Sequence, residues 1–210
     1  MRALPLAACQ VISALLASGE TPPEKPASPS VAIFMDFDSQ PGVASVQVME
    51  KEVNALLKPS GVTLNWRLAG ENDGTEAFSG LVVLKFKGRC RVEGWSQPGN
   101  DFGTLGETDT LGSTQVAQGR VLPFSEVECD QIRKALAYMH PGSNQLERQN
   151  ALGLALGRVV AHELYHILTR TTSHATAGLA KASQSLRDLV ALRGIGFQDA
   201  DSQAIRDSFH

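Results

Sequence analysis

Apolar and polar positions alternate over residues 31–38, VAIFMDFD, where β-branched and aromatic residues also concentrate. This pattern predicts a strand that stops at the turn Gln40-Pro41-Gly42. From Val43 to Leu57 the period changes: Val46, Met49, Val53, Leu56 and Leu57 recur at helical spacing until Lys58-Pro59-Ser60-Gly61 ends the run. Val62–Leu68 and Leu81–Phe86 read as two further strands on either side of the turn-rich GENDGTEAFSG. Between Trp95 and Gly119 the chain is rich in Gly, Thr, Ser and Asp, and Gly103, Gly106, Gly112 and Gly119 predict a long irregular segment. Val121–Cys129 predicts a last strand, Asp130 a helix N-cap, and Gln131–Met139 a short helix closed by His140-Pro141-Gly142. A helix follows over 147–169, apolar on nearly every face and free of proline, as a buried helix must be. Gly153 and Gly157 lie inside it despite costing about 0.5–1 kcal/mol each relative to alanine, which predicts another backbone packed closely there. Leu186–Leu192 and Ala200–Phe209 predict two short helices. Periodicity thus describes a mixed α/β domain, with an element order suited to a twisted sheet backed by helices.

The long helix carries HELYH at 162–166. Residues four apart lie one above the other on a helix, so His162 and His166 can offer imidazole nitrogens to one point in space and hold one zinc ion. Glu163 directs its carboxylate to the side where a water ligand of the metal would sit, the position of a general base. A buried helix carrying these residues by chance is the competing reading. A long apolar helix, a polar turn after it and another histidine shortly beyond coincide here, and chance accounts for that poorly.

Two nitrogens leave zinc short of ligands, since catalytic sites use three protein ligands and keep one open position. The run TRTTS after Leu168 disfavours further helix and lets the chain bend back, bringing His174 within reach. A glutamate from a later helix is excluded, because Glu163 is the last glutamate in the chain. Asp188 on a later predicted helix stays open as an alternative ligand; His140 precedes the long helix, and His210 lies at a terminus prone to fray.

At this point the chain resembles the zincin metallopeptidases, and among them the metzincins, whose signature is HExxHxxGxxH followed by a methionine-containing turn. His162, Glu163 and His166 match the first two ligands and the general base, and His174 stands two residues later than the third ligand. Thr169 occupies the place of the turn glycine, and no methionine follows Met139. The resemblance is to a divergent metzincin-like clan and is strongest over residues 153–181. It implies a twisted mixed sheet of four to five strands with a backing helix and an active-site helix, then a small helical C-terminal subdomain. It also implies that the Trp95–Gly119 region could supply an edge strand along which an extended peptide lies, with a surface loop of no special role as the equal competing reading. The implied function is a secreted zinc peptidase acting on peptide or protein substrates. An exported, non-enzymatic protein with a structural zinc site or a partner-binding role is the alternative.

Composition narrows the rest. The 210 residues suit one domain over 31–210 once a leader is removed, and no internal repeat is visible. A net charge of −3 with 20% charged residues gives no basic stripe, and aromatic and basic residues do not interleave, which argues against nucleic acid as a partner. Residues 1–19 read as a signal peptide: Arg2 precedes the apolar stretch Leu4–Ala17, too short to span a membrane, and Ala17-Ser18-Gly19 offers small residues for cleavage. Leu6-Ala7-Ala8-Cys9 resembles a lipobox, but few apolar residues precede Cys9. Residues 20–30 form a proline-rich linker. Removal of the leader leaves Cys90 and Cys129, an even pair expected to form a disulfide in an oxidising compartment. Near the site, Tyr165 is expected to pack away from the metal. Lys181 reads as a solvated lysine, with support of a developing oxyanion as the competing role.

Overall fold

The computed structural model describes residues 28–71, 77–94, 110–139, 143–191 and 195–209. The leader reading over 1–19 with Cys9, most of the linker, residues 95–109, His140, Leu192 and His210 lie outside them. Among the described residues five strands and five α-helices follow in order, with a 3-10 turn at Lys58–Ser60 after the first helix: β1 (Ser30–Phe37), α1 (Val43–Leu57), β2 (Thr63–Leu68), β3 (Gly80–Lys87), β4 (Gly112–Ala117), β5 (Arg120–Glu128), α2 (Cys129–Met139), α3 (Gln145–Thr169), α4 (Leu186–Val190) and α5 (Asp199–Asp207). The strands form one five-stranded sheet in the order β2-β1-β3-β5-β4. Four run parallel, and β4 lies antiparallel to β5 at the edge. The expected mixed sheet, backing helix (α1), long helix (α3) and C-terminal helical segment are all present. Among the described residues no helix is long and apolar enough to cross a membrane.

Register explains which strand residues are buried. Ile33 pairs with Val82, Met35 with Leu84, and Phe37 with Phe86, which in turn meets Val127. Apart from the half-buried Phe37, these residues join the core with Met49, Val53 and Leu57 of α1 and Leu152, Leu156, Val160 and Leu164 of α3. Because strand side chains alternate between faces, the intervening row Asp36, Lys85, Glu126 falls on the other face, where Lys85 pairs with Asp36 at 2.9 Å and Lys87 with Glu126 at 2.9 Å.

The two glycines of α3 do what their position requires. A Cβ at Gly153 would lie 2.5 Å from Val48 Cβ and 2.7 Å from the Ser45 carbonyl, and one at Gly157 would lie 2.9 Å from Glu52 Cβ. Bare glycine lets α1 and α3 approach this closely. Buried Arg158 fastens the layer further: it meets Glu52 at 2.9 Å and donates to the carbonyls of Asp188 and Ala191 at 2.7 and 2.8 Å.

Three local expectations need correction. The segment read as irregular contains β4, in line with the edge strand the resemblance implied. Helix α2 starts at Cys129, so Asp130 lies in its first turn instead of capping it; its carboxylate takes hydrogen bonds from the Arg89 amide and from Arg133. Helix α3 begins two residues before 147, after a capping box in which Asn144 and Glu147 satisfy each other's backbone amides. The Cys90–Cys129 disulfide is present, with a Cα–Cα separation of 5.1 Å, and ties the chain just after β3 to the start of α2.

Candidate metal centre

Helix α3 is buried along most of its length, which makes it a stiff platform for its last two turns. His162 and His166 lie on one face of those turns with Nε2 atoms 3.1 Å apart. The helix ends at Arg170, whose φ of 54° and ψ of 34° are left-handed; the residue after Thr169 thus takes the turn conformation usually given to glycine. This turn brings the Thr171 carbonyl to His166 Nδ1 at 2.8 Å. The chain runs through His174 and loops back through Gly178 (φ +74°), with the Ala175 amide donating to the Ala180 carbonyl at 2.9 Å. That loop sets the Leu179 carbonyl 2.8 Å from His162 Nδ1.

These two contacts fix the tautomers. A carbonyl only accepts, so Nδ1 of each ring carries the proton and each Nε2 presents a lone pair. Two lone pairs then face each other at 3.1 Å, an arrangement that a shared cation relieves. Two nitrogens about 2.0–2.1 Å from a tetrahedral zinc lie roughly 3.3 Å apart, so the spacing fits one edge of such a site. His174 closes the group: its ring centroid lies 4.7 Å from that of His166 and 5.4 Å from that of His162. One ligand atom from each of the three histidines lies within 4.8 Å of the others. This cluster could hold a metal ion, and a donor set of three imidazoles, two of them held by backbone carbonyls, suits zinc. Burial pushes the His162 and His166 pKa values below the ordinary imidazole value, which keeps both rings neutral and ready to ligate.

Glu163 points into the same region and is only 5% exposed. Its neighbours come from β4, far away in sequence. Thr114 Oγ1 donates to Glu163 Oε2 at 2.7 Å, and a Cβ built on Gly112 would lie 2.8 Å from Oε1. Burial raises the Glu163 pKa, and the Thr114 hydrogen bond partly opposes that rise. Two cavities flank the carboxylate. One, of about 380 Å³, is lined by Thr114, His162, Glu163, His166 and His174; the other, of about 330 Å³, by Leu111, Arg158, Val159, His162, Glu163 and Gln184. A larger cavity of about 700 Å³ opens elsewhere, beside Val31, Leu81 and Phe209, and contains none of the histidines.

The remaining sequence candidates separate clearly. Tyr165 is 9% exposed and stacks on Phe197, centroids 5.8 Å apart, so it packs as expected. Lys181 binds Asp188 at 3.1 Å. Asp188 also caps α4 by accepting from the Ser185 amide, and it is not among the residues grouped around the histidines. Thr114, Gly112 and the carbonyls of Thr171 and Leu179 escaped the sequence reading. The carbonyls leave no residue-type signal, and the β4 residues meet Glu163 only through the sheet.

A scan against protein-family profiles finds no match to this chain, and a search of curated proteins finds no significant match.

Proposed function

We propose that this chain is an exported zinc peptidase of zincin type, with His162, His166 and His174 as metal ligands and Glu163 as general base. The observation that carries the reading is the joint placement of three metal-competent imidazoles and one buried carboxylate at the wall of a cleft. Bound zinc supplies Lewis acidity, lowering the pKa of a bound water from about 15.7 to about 7 and polarising a scissile carbonyl. Glu163 takes the proton of the attacking water and returns it to the departing amine, which leaves the carboxylate as it began. The raised pKa of Glu163 suits both halves of that task. An extended substrate would pair its main chain with the outer edge of β4, which crosses above the carboxylate. The Cys90–Cys129 disulfide supports an oxidising compartment outside the cytosol.

A structural zinc site is the second reading, and it calls for a fourth protein ligand. Among the described residues the cluster supplies three, with a carboxylate next to them that structural zinc has no need of. The deciding experiment measures metal content and hydrolysis of an unfolded protein substrate, with and without chelator, for the native chain and for Glu163→Gln. The proposal expects chelator-sensitive cleavage, and a Glu163→Gln protein that keeps its zinc and loses cleavage. Cleavage that persists at the native rate in Glu163→Gln would overturn it.

A further inference from the structure

We infer that Thr114 is a positioning residue for Glu163, fixing Oε2 by its hydroxyl so that Oε1 is the oxygen that exchanges protons. The catalytic consequence rests on the peptidase reading above; the contact itself does not.

Strand β4 presents alternate residues to α3. Gly112 pairs with Val127, and Thr114 with Ser125, so the two share the face that lies over Glu163, while Ser113 between them points away. Past Thr114 the register with β5 shifts before Val116. Such an irregularity re-aims a strand locally, and here it falls one residue beyond the hydroxyl that meets the carboxylate. Thr114 Oγ1 lies 2.7 Å from Glu163 Oε2 and 3.3 Å from the Glu163 carbonyl, so its single proton serves the shorter contact. The other oxygen meets a residue without a side chain: a Cβ at position 112 would fall 2.8 Å from Oε1. One β4 residue therefore occupies Oε2, and its neighbour on the same face sets neither a hydroxyl nor any other side chain against Oε1.

This asymmetry matters because a carboxylate torsion is broad and nearly two-fold. Without a fixed partner the group presents either oxygen, and a proton taken on the wrong one is badly placed for return. In the reaction the water O–H breaks as its oxygen attacks the carbonyl carbon, and the proton passes to Oε1. The C–N bond then breaks, and the same proton moves from Oε1 to the amine nitrogen. Peptide and water become a carboxylic acid and an amine, which then exchange a proton through solvent to give carboxylate and ammonium, with Glu163 regenerated. Thr114 donates to Oε2 throughout and is never consumed.

The test compares Thr114→Val, Thr114→Ser and Thr114→Ala with the native protein by two independent readouts. The first is kcat and KM on a peptide substrate at equal zinc content. The second is the ¹³C resonance of the Glu163 carboxylate in metal-free protein, assigned by its loss in Glu163→Gln. Loss of an outer partner of this kind lowers activity roughly 10- to 100-fold. The expected result is that drop in kcat for Thr114→Val with KM unchanged, together with a moved Glu163 resonance, both restored in Thr114→Ser. Thr114→Ala removes the same donor with less bulk and must reproduce the Val result, which covers a Val variant that folds poorly. A Glu163 resonance unmoved in the Val and Ala variants overturns the inference, as does native kcat in either. If the native protein cleaves nothing, the peptidase reading falls, and the resonance alone decides whether Thr114 holds Glu163.

Discussion

Replacing Gly112 by alanine adds one methyl group where the structure leaves no space for it. That methyl would lie 2.7 Å from Val159 Cγ1, 2.8 Å from Glu163 Oε1 and 3.1 Å from Glu163 Cγ. Carbon atoms are at ease near 3.5 Å, so β4 must lift by roughly 0.8 Å or the glutamate must swing aside. Gly112 is not among the residues with positive φ, so the conflict is steric and owes nothing to backbone preference. Overpacking of this kind costs about 1–3 kcal/mol of stability. Misplacing a catalytic group by about 1 Å costs roughly 100-fold in rate, equivalent to about 2.7 kcal/mol on the barrier. On the peptidase reading, Gly112→Ala should therefore lose about two orders of magnitude in kcat/KM while keeping native zinc stoichiometry, since the three atoms nearest the methyl belong to Val159 and Glu163 and not to a histidine. Gly112→Val should lose more. The assay is peptide turnover alongside metal analysis and a urea unfolding curve. Native turnover and an unchanged unfolding midpoint in Gly112→Ala would refute the close crossing of β4 over Glu163.

Three further expectations follow from other parts of the molecule. His174→Ala should weaken zinc binding by orders of magnitude in a competition titration, whereas Asp188→Ala, which removes a cap and an ion pair with Lys181, should leave affinity near native and cost about 1 kcal/mol of stability; the reverse order would move the third ligand to Asp188. Reducing the Cys90–Cys129 bridge, which spans a sequence separation of 39, should lower unfolding free energy by about 4 kcal/mol in urea titrations with and without reductant; coincident curves would show that the bridge restrains little. Arg158→Met should destabilise the fold by about 3–5 kcal/mol, because it strips partners from the Glu52 carboxylate and two carbonyls in a buried setting; a loss under 1 kcal/mol by the same measurement would mean those groups find water.

Local chemistry was legible in the chain, and cross-chain chemistry was not. HELYH points to two candidate ligands and a candidate base because the three residues share one helix, whose geometry is set within a few residues. Gly153 and Gly157 announced a close neighbour because glycine is unfavourable in a helix without one, and α1 fills that role. The stretch around β4 gave the opposite impression. Its residues GSTQVA are mostly exposed or half-buried, so no apolar alternation marks them. What makes them a strand is hydrogen bonding to β5, which composition does not encode. Thr114 and Gly112 stayed invisible for the same reason, since their importance comes from a residue 49 or more positions away. The start of α3 is legible in a polar signal that the apolar run does not carry: Asn144 with Glu147 three residues on is a capping-box pattern. Asp130 misled because an aspartate at a helix start resembles a cap even when, as here, it serves Arg89 and Arg133 from inside the first turn.

The two helix imidazoles take their orientation from main-chain oxygens of Thr171 and Leu179, and a peptide carbonyl survives every side-chain replacement. Ring alignment is thereby insulated from mutation at the residues that supply it. Vulnerability passes to positions that steer the chain. Gly178 is one, with φ of +74° and a missing Cβ that would fall 2.9 Å from the Gly196 carbonyl. In a saturation library, half-buried Thr171 should accept many substitutions, while Gly178, four residues beyond the last histidine of the cluster, should accept almost none.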